Sequence, residues 1–196
     1  MRKKISLLSI ATLLTSCTFP SIPLDPVKYD KPVHVTSAKN AMLELATETT
    51  IFDVGGGYCD SYPLKGSWAH PTQHFNTQDQ QIFMESLKSE LKRLKLLNVL
   101  NGIKSNSSVA DIKVKLTFEK ALTCLIIAGG VQYTLNVELE IEEVNKKFAN
   151  HYYILSSIND SPWETGRTDH KKGKQKAAKI LLEAVIADIE RWIASN

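Results

Sequence analysis

Strict alternation of apolar and polar residues marks the middle of the chain. In Ile112-Lys113-Val114-Lys115-Leu116-Thr117-Phe118 the even positions are apolar. In Tyr133-Thr134-Leu135-Asn136-Val137-Glu138-Leu139-Glu140-Ile141 the odd positions are. A period of two is that of a strand with one dry and one wet face. Paired as an antiparallel hairpin, the stretches would set Lys113 opposite Glu140, Lys115 opposite Glu138 and Ile112 against Ile141. Opposite charges across a strand pair favour such a register modestly. A third strand is predicted over 151–156, after a turn at Asn145-Lys146-Lys147. An earlier strand is predicted over 49–54, stopped by Gly55-Gly56-Gly57.

Helical spacing replaces alternation elsewhere. Thr77-Gln78-Asp79-Gln80 fits a capping box, and Phe83, Leu87, Leu91, Leu94 and Leu97 then recur as one apolar stripe until Asn101-Gly102. A final helix over about 174–194 has Ala178, Leu181, Leu182, Val185, Ile189 and Trp192 on its apolar side. Lys176, Lys179, Glu183, Asp188, Glu190 and Arg191 fall on its polar side. Ser37 can cap a short helix over 38–46, and residues 58–76 read as a polar and aromatic loop. The order predicts an α+β fold. It would be a two-layer sandwich, with a mostly antiparallel sheet of about four strands and two main helices on one face.

The first residues follow a different rule. Met1-Arg2-Lys3-Lys4 precedes an apolar run of ten, Ile5 to Leu14. That run is too short for a membrane span, which needs about 20 residues, but has the length of a signal-peptide core. Leu14-Thr15-Ser16-Cys17 resembles a bacterial lipobox. The resemblance implies cleavage before Cys17, lipid on its thiol and new amino group, and a signal peptide over 1–16. Thr18 at the next position resembles the pattern of lipoproteins sent to the outer membrane, which implies its periplasmic face. Residues 17–36, with Pro20, Pro23, Pro26 and Pro32, read as the lipidated cysteine and an extended tether, and 37–196 as a single α/β domain.

Charge and cysteine content narrow the function classes. The precursor carries +3, with 24 basic and 21 acidic residues. Arg2, Lys3 and Lys4 account for that excess, so the mature part is formally neutral, against a nucleic-acid partner. Cys59 and Cys124 would meet an oxidising periplasm. As a disulfide they would contribute roughly 4 kcal/mol on the chain-entropy model; otherwise they are two buried thiols.

The layout over 49–194, with its lipobox, is similar to small envelope lipoproteins: the lipopolysaccharide-assembly lipoprotein, auxiliary lipoproteins of ABC-type lipid transport, and penicillin-binding-protein activators. That resemblance implies a non-catalytic accessory subunit, held to the membrane through Cys17 and docked on an envelope protein, with no cofactor. It carries no site residues over.

Candidate sites come from the residues. The apolar run Ala121 to Gly130 lies between the alternating strands. Leu125, Ile126 and Ile127 would meet a partner or lipid there, or complete the core. A basic run enters the last helix, and Arg167, Lys171, Lys172 and Lys174 would bind phosphate groups of lipid or lipopolysaccharide. The alternative is a solvated helix face. Tyr58, Tyr62, Trp68 and Trp163 could grip a glycan or a partner, or cover the edges of the core. His70 and His74 flank Pro71, which argues against a helical metal pair. Cys59, in Tyr58-Cys59-Asp60-Ser61, has no histidine partner that would make it a nucleophile.

Overall fold

The computed structural model describes residues 23–47, 68–69, 75–100, 110–126, 130–159 and 167–196. Their elements are β1 (Asn40–Thr47), β2 (Trp68–Ala69), α1 (Thr77–Arg93), β3 (Asn98–Val99), β4 (Ile112–Ile126), β5 (Gly130–Glu143), β6 (Lys146–Asn159) and α2 (Arg167–Ser195). One mixed sheet runs β3-β1-β4-β5-β6, and β2 pairs with the far half of β4.

The α+β class and the two helices agree with the sequence. The sheet corrects it in strand number and direction. Six strands take part among the described residues, and β1 lies parallel to both β3 and β4. The helix expected over 38–46 is therefore a strand. Ala41 is fully buried in β1, paired with Val99 on one side and Ile112 on the other. The expected strand over 49–54 and most of the loop 58–76 lie outside the described residues.

Alternation assigned the faces of β4 and β5 correctly. Ile112, Val114, Leu116 and Phe118 join Leu135, Val137, Leu139 and Ile141 in the core, beneath both helices. The register differs by two residues from the expected one: Lys113 faces Glu142, Lys115 faces Glu140, and Val114 faces Ile141. A slip of two leaves every side chain on its own face, so hydrophobicity cannot detect it.

A bulge then interrupts the ladder. Phe118 pairs with Val137 but Lys120 pairs with Asn136, leaving Glu119 as the extra residue. Beyond it the odd positions of β4 pair with the odd positions of β5. Near this point Phe118 stacks on Phe75 at 5.6 Å and meets Phe83 edge-on at 6.0 Å.

α1 is bounded at both ends by side-chain and backbone chemistry. Its cap is Asn76, one residue before the predicted Thr77. Asn76 Oδ1 accepts from the Asp79 N–H at 3.0 Å, and Asp79 Oδ2 accepts from the Asn76 N–H at 3.0 Å. At the other end the Leu96 N–H reaches the Leu91 carbonyl and the Lys95 N–H reaches that of Lys92. This closes a Schellman turn with Lys95 at φ 57°. The helix stops there, so Leu97 belongs to the approach to β3. A side chain is unfavourable in the left-handed region by roughly 1–2 kcal/mol, partly offset by glycine's greater unfolded entropy. Lys95→Gly should therefore raise the thermal midpoint, with a gain of about 1 kcal/mol; an unchanged or lower midpoint in a melting curve would contradict this.

The segment expected as a tether is extended, but it is not free. Leu24, Val27 and Tyr29 are buried, and Val33 and Val35 pack partly against the core. Apolar side chains in this proline-rich stretch find a surface on the two helices, which alters the domain boundary: the strap from Leu24 onward is part of the fold.

Candidate functional site

The strap is held by polar groups that both helices project outward. From α1, Asp79 Oδ1 accepts from the Leu24 N–H at 2.7 Å and Ser86 Oγ from the Val27 N–H at 3.0 Å. Arg93 Nη2 donates to the Tyr29 carbonyl at 2.7 Å. Glu90 positions that guanidinium through Arg93 Nε at 2.9 Å. From α2, Gln175 exchanges hydrogen bonds with the backbone of Asp25, and Glu190 Oε1 accepts from the His34 N–H at 2.7 Å. Ion pairs add Lys171 to Asp25 at 2.8 Å, Lys179 to Asp30 at 2.7 Å and Lys31 to Glu183 at 2.8 Å. Lys179 holds the Asp30 carboxyl below its ordinary pKa through their hydrogen bond.

At the centre is a buried ion pair. Lys174 Nζ donates to Asp79 Oδ2 at 2.8 Å, with side-chain exposures of 2% and 0%. Asp79 thus serves the helix cap, the strap and the contact between helices together.

One residue of the expected anion site is removed from it. Lys174 is buried against Asp79 and cannot meet an external phosphate. Lys171 is engaged with Asp25, while Lys172 lines a groove beside it. Arg167 opens α2, and its side chain lies outside the described residues. The groove holds about 490 Å³ along α2. Its lining includes Lys171, Lys172, Lys176, Lys179, Asp25 and the half-exposed Ile180. It offers lysine stems and an isoleucine as an apolar floor, with ammonium groups at the rim.

Two of the three residues expected to meet a partner lie on β4. Leu125 and Ile126 lie in β4, opposite Val131 and Gly130, with Leu125 also beside Trp68 of β2. Ile127 lies outside the described residues, as do Cys17, Cys59, His70 and His74. Cys124 occupies a β4 position between Ala69 and Gln132.

The other face of the sheet is a lattice of charges. Glu140 accepts from Lys147 at 2.7 Å and Lys115 at 3.0 Å, Glu142 pairs with Lys147 at 3.3 Å, and Glu44 with Lys113 at 2.9 Å. The hydrogen bond from Lys147, then that from Lys115, draws the Glu140 pKa down from 4.5 to about 2. A depressed carboxyl stabilises the fold above its unfolded pKa, and the contribution is lost as pH falls from about 4.5 towards 2. Both lysines are partly exposed, so solvent screening limits the effect to about 1 kcal/mol. Glu140→Gln should cost that amount at pH 7 and clearly less near pH 2, where the folded carboxyl is half protonated. Urea midpoints at the two pH values test it; an equal loss at both would be contrary to the pairing.

Among the described residues no cluster of three histidine, cysteine or acidic side chains could hold a metal, and no helix is long and apolar enough to cross a membrane.

The sequence matches no protein-family model and no curated protein. Similar solved structures exist. A hypothetical protein of Chlamydia trachomatis has 13% identity and a TM-score of 0.51, covering 82% of this chain and 100% of its own. A candidate lipoprotein of Caulobacter crescentus has 13% identity and a TM-score of 0.40, covering 59% and 83%. A DUF330 protein of Xanthomonas campestris has 6% identity and a TM-score of 0.42, covering 90% and 97%. The first shares the fold; the other two, at these scores, add nothing to it.

Proposed function

We propose that the mature protein is a lipid-anchored, non-catalytic envelope protein. Its acylated Cys17 would hold it on the periplasmic face of the outer membrane as an accessory subunit of an envelope complex. The observation that carries this reading is continuity. The lipobox runs, within seven residues of Cys17, into a strap built into the fold. Such a chain confines the domain at the membrane and raises its effective concentration towards a membrane-bound partner. Support for a partner comes from β6, which ends the strand order and presents Tyr153 at 59% exposure. An edge strand with an exposed aromatic suits docking on another protein.

Labelled palmitate should enter the wild-type protein and not Cys17→Ala, which should move from the membrane to the soluble fraction. Equal labelling of both would refute the anchor. Crosslinking in cells, followed by identification of what co-purifies, tests the accessory role; a preparation that reproducibly carries no other envelope protein would remove it. A second reading, a module that binds lipid, lipopolysaccharide or glycan, is favoured by the apolar-floored groove with its lysine rim. Cys59 and Cys124 remain a proposed disulfide, for which a non-reducing peptide map is the direct measurement.

A further inference from the structure

The charged face of the sheet is not balanced along its whole length. Near Lys113 each carboxylate has an ammonium: Glu44 takes Lys113, Glu140 takes Lys115 and Lys147, and Glu142 shares Lys147. Further along, at the β4 bulge, Glu119 and Glu138 have none among the described residues. Their neighbour is His151 of β6, with Nδ1 3.7 Å from Glu119 Oε1 and Nε2 3.5 Å from Glu138 Oε1. Both distances are longer than a good hydrogen bond. Lys115 is close enough to feel Glu138 but donates to Glu140 at 3.0 Å.

Several local features converge on this point. Glu119 is the extra residue of the bulge, and a bulge re-aims its side chain. Asn136 Nδ2 donates to Glu119 Oε2 at 2.6 Å, which fixes that carboxylate, and Asn136 is the ladder partner of the exposed Tyr153. Glu138 stands between Thr117 on β4 and His151 on β6. Thr117 follows Lys113 and Lys115 at a period of two, so it lies on the same face. It is 3% exposed, and its hydroxyl has no hydrogen-bond partner. A buried hydroxyl without a partner is unfavourable, and this one lies beside the two carboxylates that lack a cation.

We infer that this patch receives a guanidinium group from a partner protein, an arginine on an extended segment that lies along the outer side of β6. The inference rests on the accessory role proposed above. The occupant follows from charge and shape. Two carboxylates that approach one imidazole from different strands repel each other, and a cation among them removes the repulsion. They flank opposite nitrogens of the ring, an arrangement that does not converge on one metal ion, so the guest is an organic cation. A planar guanidinium offers donors to both carboxylates at once and stacks on an aromatic face; a compact ammonium is less suited to both. Tyr153 supplies that face. β6 ends the strand order among the described residues, so a segment pairing with it would set a side chain about 5 Å from His151 or Tyr153.

The test is a nuclear magnetic resonance titration of the full-length protein in detergent micelles. The probes are two short peptides of alternating threonine and valine, one with a central arginine and one with its neutral isostere citrulline. The arginine peptide should shift the amide signals of His151 and Tyr153 saturably and leave those of Glu44 and Lys113 unmoved. The citrulline peptide should bind more weakly by about fivefold or more, since an exposed ion pair contributes up to that factor and two are lost. The double variant Glu119→Gln with Glu138→Gln should bind the arginine peptide only as well as the citrulline one, and its Glu44 and Lys113 signals report that the sheet is intact. Equal affinity for the two peptides, no saturable shift at His151 and Tyr153, or undiminished binding by the double variant would each overturn the guanidinium site. These results do not depend on what co-purifies from cells, so their failure leaves the accessory role standing. If no envelope protein co-purifies while the arginine peptide still binds selectively, that role falls and the guanidinium site stands.

Discussion

Asp79→Ala should lower the stability of the domain by about 4 kcal/mol, within the range for removing one partner of a buried ion pair. The carboxylate is fully buried and accepts from Lys174 Nζ, the Leu24 N–H and the Asn76 N–H. Loss of its capping role alone would cost about 1 kcal/mol. Most of the effect comes from taking the carboxylate away from a buried ammonium and a strap N–H. Urea unfolding followed by circular dichroism measures the total, and a loss below about 1 kcal/mol would show that the pair is not buried as described. The double variant Asp79→Leu with Lys174→Met should lose much less, because an apolar pair of similar volume removes both charges together. Residues 24–29 should be cut faster by protease in both variants than in the wild type, because neither alanine nor leucine at position 79 accepts from the Leu24 N–H.

The same residues show what the sequence reveals and what it hides. Alternation in 112–118 and 135–141 identifies β4, β5 and their dry face, because one buried face imposes a period of two. It leaves the register open by any even number, and the actual pairing is two residues from the one that the charges suggested. β1 was missed for a different reason. Residues 38–46 contain good helix formers, and only pairing on both sides makes them a strand. The strap was missed because prolines masked the apolar positions 24, 27, 29, 33 and 35, whose docking surface exists only after both helices have packed.

The buried charges are legible in the helical spacing of the sequence. Lys174 stands three and four residues before Ala177 and Ala178, and seven before Leu181, so it lies on the apolar stripe of α2. Asp188 likewise stands three after Val185 and seven after Leu181. A charge on a buried stripe predicts a buried partner. Composition alone merges Lys174 with its exposed neighbours into one basic run. What no local pattern could supply was the identity of the partner, since Asp79 is 95 residues away.

Asp188→Ala should cost about 3 kcal/mol, the second large loss, through a different part of the fold. Asp188 is 5% exposed on α2. Its Oδ2 accepts from Tyr152 Oη at 2.6 Å and Asn150 Nδ2 at 2.7 Å, both on β6, and its Oδ1 accepts from Arg191 Nη1 at 2.8 Å. The residue therefore pins the last helix to the edge strand. Burial, then the hydrogen bond to Asp188, pushes the Tyr152 phenol well above its ordinary pKa, so it remains a donor into alkaline pH. Deleting the carboxylate strands a buried hydroxyl, which costs about 1–3 kcal/mol when unpaired, and takes an acceptor from the part-buried Asn150 amide. Tyr152→Phe removes only one donor and leaves Asp188 with Asn150 and Arg191, so its cost should be nearer 1 kcal/mol. Chemical denaturation of the two single variants and the double variant separates these effects. If Asp188 acts through Tyr152, the double variant should cost clearly less than the two single losses combined. Strict additivity would mean that the 2.6 Å contact contributes nothing to holding α2 on β6.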